Sequence, residues 1–395
     1  MELEVLPAAK GDCLLLHHEE NGHKRLILID GGPAGVYKQS LKPRLLELRK
    51  ERIAEGAIGK SDPLVIDLII VSHIDDDHIN GIEALFDDIA AQGGTHKPDF
   101  RVDRLWHNSF LSLVDAKSGD VAALAGAGDA IIASLGAMAP EAAKEGAEDL
   151  EMVLASIAQG YNLLAQAKAL GIAINPGFKG KTIEAHSAAP LVIDGLSIRL
   201  LGPRKSELDA LRKDFAAWLK ARNKGQATPA SLLASFTDTS VANLSSIVLL
   251  VEKGKKRFLL TGDARGDKIM EAAAAFGLAS KSQPLSVNIF KVPHHGSDRN
   301  NSAECFAMFP AEHYVFSGDG KHENPDRETF EYLAAARADA KTIVELTYPP
   351  ADIDKVRAQE WEKKHKPRLF DPATQGIAPY LSKQKNFVVR HPPPR

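Results

Sequence analysis

Apolar positions along the chain recur with two different periods, and the switches between them mark the predicted elements. Glu2–Leu6 alternates. Gly11–His17 is a short apolar run behind a Gly-Asp turn, and Lys24–Asp30 (KRLILID) is another that ends in Asp-Gly-Gly. Leu64–Ser72 (LVIDLIIVS) is continuous, β-branched and of strand length, which predicts a strand buried on both faces. Ile79–Ala91 then carries apolar residues at helical spacing, and Val102–Trp106 reads as a further strand.

Between residues 109 and 175 the pattern becomes helical and rich in Ala, Leu, Met and Glu, which predicts an insertion of two or three helices. The expected division is a sheet domain at 1–108 and 176–395 with a helical insertion at 109–175. Strand signals return at Lys181–Ile183 and at Leu191–Leu201, the latter with a turn at Asp194-Gly195. Ser206–Arg222 reads as a helix and 225–243 as a loop. Ser246–Glu252 and Lys256–Leu260 read as a hairpin. Asp267–Phe276 and Arg327–Ala338 read as helices, Val287–Val292 and Glu312–Ser317 as strands, and HPPPR as a loose tail. No internal repeat or long low-complexity tract is present.

Composition narrows the class. The 395 residues are 44% hydrophobic and 26% charged, and no apolar run nears the ~20 residues of a membrane helix. MELEVLPAAK has neither a basic start nor an apolar signal region, so a cytoplasmic location without a membrane partner is expected. Cys13 and Cys305 form no C-x-x-C pair and no disulfide framework, so any metal must be held by histidines and carboxylates. A net charge of −3 argues against a general nucleic-acid binder but leaves room for a local basic groove.

The residues that carry chemistry follow predicted strands. In VSHIDDDHINGI, His73, Asp75, Asp77 and His78 stand between the buried strand and the next helix, where an open α/β sheet places its site. Four ligand-type side chains within six residues can surround a metal pair at little cost in loop entropy. FLLTGDAR places Asp263 just past a strand, FKVPHHGSDRNN places His294 and His295 at another strand end, and SGDGKHENPD places His322 after a third.

In this order the motifs resemble the metallo-β-lactamase superfamily, and within it the branch that includes the hydrolase domain of ComEC-type DNA-uptake proteins. The resemblance covers most of 1–110 and 180–335. It includes Gly11-Asp12, Asp30-Gly31-Gly32, NLSSIVLLVE (Asn243–Glu252) and the HHGS tetrad His294–Ser297. It implies an α/β fold of the αββα sandwich type carrying a helical insertion. The superfamily loop H-x-H-x-D-H is H-x-D-x-D-H here, a change that ComEC-like members share. Asp75 makes the first site richer in oxygen, which weakens zinc preference and admits manganese.

The resemblance further implies two divalent metal ions, Zn or Mn. His73 and Asp75 would hold the first, Asp77 and His78 the second, and Asp263 would bridge them. One of His294, His295 and His322 would complete the second metal and another would protonate the leaving group. His294 is taken as the ligand, and Asp77, His295 and His322 as the catalytic groups. Asp30 would orient a ligand histidine through its ring N–H. Asn243 stands where the family has a third-motif histidine, with His107 as a possible substitute; Ser297 and Asn324 are candidate substrate contacts. A metal pair supplies hydroxide at neutral pH and stabilises charge on the attacked oxygen.

The expected function is a phosphodiesterase acting on nucleic acid, DNA first, with Lys291, Arg265, Arg299 and Lys363–Arg368 meeting phosphates. The insertion offers a surface for a protein partner that switches the enzyme on. The alternatives are a small-molecule hydrolase for a cyclic nucleotide, lactone or thioester with the insertion as its lid, and a non-enzymatic metal-binding member.

Overall fold

The structure, a computed structural model, describes residues 1–93, 98–108, 160, 162–209, 213 and 245–392. The chain is a mixed α/β fold built on two large sheets. The first contains β1 (Glu2–Val5), β2 (Leu14–Glu20), β3 (His23–Ile29), β5 (Leu68–Val71), β7 (Arg104–His107) and β8 (Ala173–Ile174), in that order. A separate pair is formed by β4 (Leu64–Ile66) and β6 (Phe100–Val102). The second sheet contains β9 (Leu191–Ile193), β10 (Leu196–Gly202), β11 (Val248–Lys253), β12 (Lys256–Leu260), β13 (Val287–Lys291), β14 (Ala311–Phe316), β15 (Thr342–Leu346) and β16 (Phe387–Arg390) in sequence order. Each sheet starts antiparallel and turns parallel, at β3–β5 in the first and at β12–β13 in the second.

Period-2 alternation distributes the core over three layers. Leu14, Leu16, Ile27, Ile29, Ile70 and Trp106 of the first sheet pack against Ile198, Leu200, Leu249, Val251, Phe258 and Leu260 of the second. Leu15 and Leu28 face the opposite way. They meet Leu41, Leu45, Ile79, Ile82 and Phe86 beneath helices α1 (Lys42–Ala54) and α2 (Asp76–Gln92). On the far side of the second sheet, Leu250, Leu259, Phe290 and Tyr314 are covered by α3 (Gly266–Ala275), α4 (Ala303–Met308) and α5 (Arg327–Ala336). Among the described residues no helix is long and apolar enough to cross a membrane.

Several elements depart from the sequence reading, each for a local reason. Leu64–Ser72 is two strands, because the Asp67 side chain is held inside the break: it accepts from Arg25 Nη1 (2.7 Å) and Leu26 N (2.8 Å). The neighbouring run splits at Asp103, whose N–H donates to Ile66 O at 3.1 Å. At Lys181–Ile183 no strand forms. Ile183 instead exchanges its backbone hydrogen bonds with the Asn108 side chain (2.8 and 2.9 Å). Residues 162–174 pack with the first sheet, where Leu163, Ala167 and Ile172 join the core beneath α2 and β8 pairs with β7. The remainder of the expected insertion, 109–159, lies outside the described residues, as do 225–243 and most of the helix expected at 206–222.

Two glycines set the position of α2. Gly31 N donates to His78 O (2.7 Å) and Gly81 N to Gly32 O (3.0 Å), so the loop after β3 lies against the first turns of α2. A Cβ on Gly81 would stand 1.9 Å from Gly31 O, and one on Gly31 would stand 2.6 Å from Ile82 N. Gly81→Ala is therefore expected to destabilise the fold by about 1–3 kcal/mol or more. Gly93→Ala, which would meet nothing closer than 3.7 Å, should leave the denaturant midpoint nearly unchanged. Equal midpoints for the two variants would contradict this account.

Candidate metal centre

The parallel strands of both sheets deliver their C-terminal ends to one edge, and the polar residues collect there. β3 ends at Asp30, and β5 leads into Ser72 and His73. Asp75 occupies the N-cap position of α2, which puts Asp77 and His78 in the first turn. β12 leads to Asp263, and β13 to a tight turn, Pro293–Gly296, that carries His294 and His295. Asp30, His294 and His295 all have positive φ (58°, 49° and 53°). Such backbone is costly for residues other than glycine and is concentrated at functional sites.

Four imidazoles surround one carboxylate. Nε2 of His78 lies 3.4 Å from Asp263 Oδ1; Nε2 of His295, His294 and His73 lie 3.4, 3.6 and 3.7 Å from Oδ2. Asp75 Oδ2 is 3.5 Å from His73 Nε2, and Asp77 Oδ2 is 3.7 Å from His295 Nε2. Two ligand atoms each about 2.1 Å from one cation, at a tetrahedral angle, stand about 3.4 Å apart. The spacings therefore match shared coordination better than direct hydrogen bonding. His73 Nε2, His78 Nε2, His295 Nε2 and Asp263 Oδ1 are buried and have no hydrogen-bond partner among the described residues. An unpaired buried polar atom is costly, and four aimed at one place call for a shared partner. His73, Asp77 and His78 form one group within metal-ligand reach, and His78, Asp263 and His295 form another. These buried His and Asp groups fit a divalent cation.

A second layer turns every ring the same way. Asp30 Oδ2 accepts from His78 Nδ1 (2.8 Å), while Asp30 also takes the Ser72 N–H (2.7 Å) and hydroxyl (2.6 Å). Ser72 Oγ accepts from His73 Nδ1 (3.1 Å) and Asn300 Oδ1 from His294 Nδ1 (3.0 Å), and Asn300 Nδ2 donates to Asp263 O (3.0 Å). His295 Nδ1 donates to Ser317 Oγ (3.0 Å), and that hydroxyl donates in turn to Asp12 Oδ1. With Nδ1 used as a donor in each ring, the Nε2 lone pair is left for the centre.

The charges agree with the geometry. Burial opposes ionisation of Asp263, yet His295, His78, His294 and His73 hold its carboxyl well below the usual range. Burial also disfavours a charged His78, yet Asp263 and Asp30 raise its pKa well above the ordinary value. For His295 the same opposition ends with Asp263 and Asp12 raising the pKa to about 9. The cluster attracts positive charge.

Of the residues expected from sequence, His73, Asp75, Asp77, His78, Asp263, His294 and His295 come together. His295 rather than His294 falls in the tight group with His78 and Asp263, and the His294 side chain is 30% exposed. Asp30 stands behind His78 as the resemblance implied. His322 is exposed and makes no ion pair with these carboxylates among the described contacts, because its turn, Lys321–Glu323, holds it at the rim. His107 is buried beside β5, where burial pushes its pKa down to about 4. It belongs to no metal-ligand group found among the described residues. Asn243 lies outside the described residues. Ser297 and Asn324 are buried, with backbone hydrogen bonds that close their own loops.

Lys291 requires a correction. Instead of meeting phosphate, it is 1% exposed, with Nζ 2.8 Å from Asp12 Oδ2 and 3.0 Å from Val292 O. Its position in β13 faces it inward, and Asp12, 1% exposed, is the charge it meets there. Arg265 stays at the surface, 40% exposed, in an ion pair with Asp267 at 2.9 Å. The supporting residues Asp12, Ser72, Asn300 and Ser317 carry no ligand pattern of their own. Asp12 was marked only by the Gly11-Asp12 pair in the resemblance, and the others by their proximity to turns at strand ends.

Lys291→Met is expected to cost about 3–5 kcal/mol of stability, because it leaves the Asp12 charge buried and unpaired. The double change Asp12→Asn with Lys291→Met should recover most of that loss. Chemical denaturation of the two variants checks this, and a single variant as stable as the parent chain would refute the buried pairing.

No protein-family model matches the chain, and no curated protein is significantly similar to it, so what the centre does is read from its own geometry.

Proposed function

We propose that this chain is a metal-dependent phosphodiesterase of the metallo-β-lactamase superfamily, similar to the ComEC-type branch, with nucleic acid as its substrate. In this reading the two sheets and their helices are an αββα sandwich, and 109–175 contains a helical module that receives a protein partner. The observation that carries the reading is the set of three unpartnered imidazole Nε2 atoms around the unpartnered Asp263 Oδ1. Two divalent ions, Zn or Mn, would be held by His73, Asp75, Asp77, His78, Asp263 and His295. Bound there, divalent ions supply Lewis acidity, which lowers the pKa of water toward about 7 and stabilises negative charge on a phosphoryl oxygen.

The protein's own groups do the rest. Asp30 and Asp12 fix the orientation of His78 and His295, so the centre does not reorganise as charge develops. Asp77 sits at the N-terminus of α2, where the helix dipole stabilises its carboxylate, and orients the attacking water. His294, the more exposed of the adjacent pair, is the better placed proton donor to a leaving oxygen, and the geometry favours giving it the role expected of His295. His322 at the rim faces incoming substrate.

Protein purified without chelator is expected to contain Zn or Mn and to cut plasmid, linear or single-stranded DNA or RNA, with EDTA abolishing cleavage. Asp263→Ala should lower the rate by at least about 100-fold, the upper range seen when only an outer partner of a ligand is lost. Its melting temperature should stay near that of the parent chain. Absence of metal together with no cleavage on adding any of Mn²⁺, Zn²⁺ or Mg²⁺ would overturn the proposal, as would full activity in Asp263→Ala. Turnover of a cyclic nucleotide, lactone or thioester alone would move the substrate to the small-molecule class.

A further inference from the structure

Helix α6 (Pro350–His365) lies beyond the part of the chain that carries the family resemblance, and its last turn is basic, with Lys363, Lys364 and His365. The Trp361 ring stacks on His365, with centroids 4.4 Å apart and planes inclined by 24°. Phe370 meets Trp361 edge-on at 6.4 Å. His365 is exposed, so the stack ends in an accessible ring. Lys363, Lys364, Lys366 and Arg368 are exposed around it, against a single acid, Glu362, in 361–370. Lys363 pairs with Glu360 (2.8 Å) and Lys364 with Glu323 (2.9 Å). Lys366 and Arg368 form no ion pair among the described residues, and Leu369 beside them is 77% exposed.

The first half of α6 is tied to the turn that carries His322, and Lys364 ties the C-terminal end to the same turn. Arg357 Nε donates to Glu323 O (2.8 Å), and a Cβ on Gly320 would stand 2.4 Å from Ile353 O, so the Lys321–Glu323 turn is pressed onto the helix. His322 in that turn is within electrostatic reach of Lys10 and Asp77 on one side and of Glu360 and Lys364 on the other. Cations flanking a stack of rings suit a flexible polyanion with planar groups. Phosphates meet Lys and Arg, and unpaired bases extend the stack. A duplex hides its base faces, and an acidic peptide has none to offer.

We propose that the Trp361–His365 stack, with Lys366 and Arg368, is a docking surface for single-stranded nucleic acid, whose strand continues past the Lys321–Glu323 turn toward the metal centre. The direction of the strand rests on the phosphodiesterase reading; the docking surface is tested without it. The full chain is titrated, with EDTA present so that nothing is cut, into a fluorescein-labelled oligothymidylate and into a duplex of the same length, and anisotropy is followed. The single strand should bind at least about tenfold more tightly than the duplex. His365→Ala and Trp361→Ala should each weaken it by roughly 5- to 100-fold, the range for loss of one base–aromatic stack. Lys366→Ala with Arg368→Ala should make the slope of log affinity against log salt shallower by about 1.4, as expected for two lost phosphate contacts to a single strand.

Absence of binding, equal affinity for the duplex, or His365→Ala and Lys366→Ala/Arg368→Ala variants that bind like the parent chain would overturn the proposal. So would displacement of the strand by polyglutamate at equal charge. Cleavage by the metal-loaded chain without this binding pattern refutes the docking surface alone. The binding pattern without cleavage refutes the phosphodiesterase reading and leaves the surface standing.

Discussion

The Asp263 carboxylate, buried among four imidazoles, is the interaction on which the arrangement of the polar centre depends. Burying a carboxylate costs several kcal/mol unless it is paired and hydrogen-bonded. Here Oδ1 makes no hydrogen bond, and the nearest cationic or neutral nitrogens stand 3.4 to 3.7 Å away. The spacing is too long for strong hydrogen bonds and right for ligands sharing a cation. The electrostatics point the same way, since carboxylates pull protons onto His78 and His295 against the penalty of burial. A site that binds protons this readily is one where a bound cation would displace them, so metal binding and proton release are linked.

Two histidines of the centre are backed by carboxylates, but not equally. Asp30 meets His78 directly and is otherwise supported only by Ser72, so it leaves a negative charge behind the ring. Asp12 lies 3.3 Å from His295 Nδ1 as well as meeting it through Ser317, and it is paired with Lys291, which, more than any other neighbour, holds its carboxyl low against burial. Even so paired, Asp12 still raises the pKa of His295. Both rings thus have a carboxylate behind Nδ1, and the one behind His295 is shared with a lysine. That lysine stands on β13, three residues before the histidine pair.

The two sheets make this arrangement possible. Their parallel strands end on one edge, so the exits of β3, β5, β12, β13 and β14 contribute to one small volume. Backbone contact between Gly31 and Gly81 brings the α2 N-terminus against β3, and positive φ at Asp30, His294 and His295 turns their side chains inward. Each is locally unfavourable and is held by packing on both sides. Away from this edge the sheets hold ordinary apolar alternation.

Sequence alone determined the ligand types and their order. His73, Asp75, Asp77 and His78 lie within six residues, and Asp263 and His294-His295 each follow an apolar run, so their place at strand ends was readable from periodicity. The strands around them were readable for the same reason, since alternation and β-branching are local properties. What local pattern could not show is which side chain meets which. Asp67 and Asp103 divide apolar runs because of partners far away in the chain, and α1 was missed because its charged surface masks a stripe as narrow as Leu45 and Leu48. Lys291 reads as an exposed cation in sequence, and only the tertiary structure closes it onto Asp12, 279 residues away, because a buried charge takes whatever opposite charge the fold brings within reach. That His295 rather than His294 falls in the tight group with His78 and Asp263 was decided at the same level. Adjacent residues share one sequence environment, and only the backbone angles of a tight turn decide which ring enters the centre and which stays at its mouth.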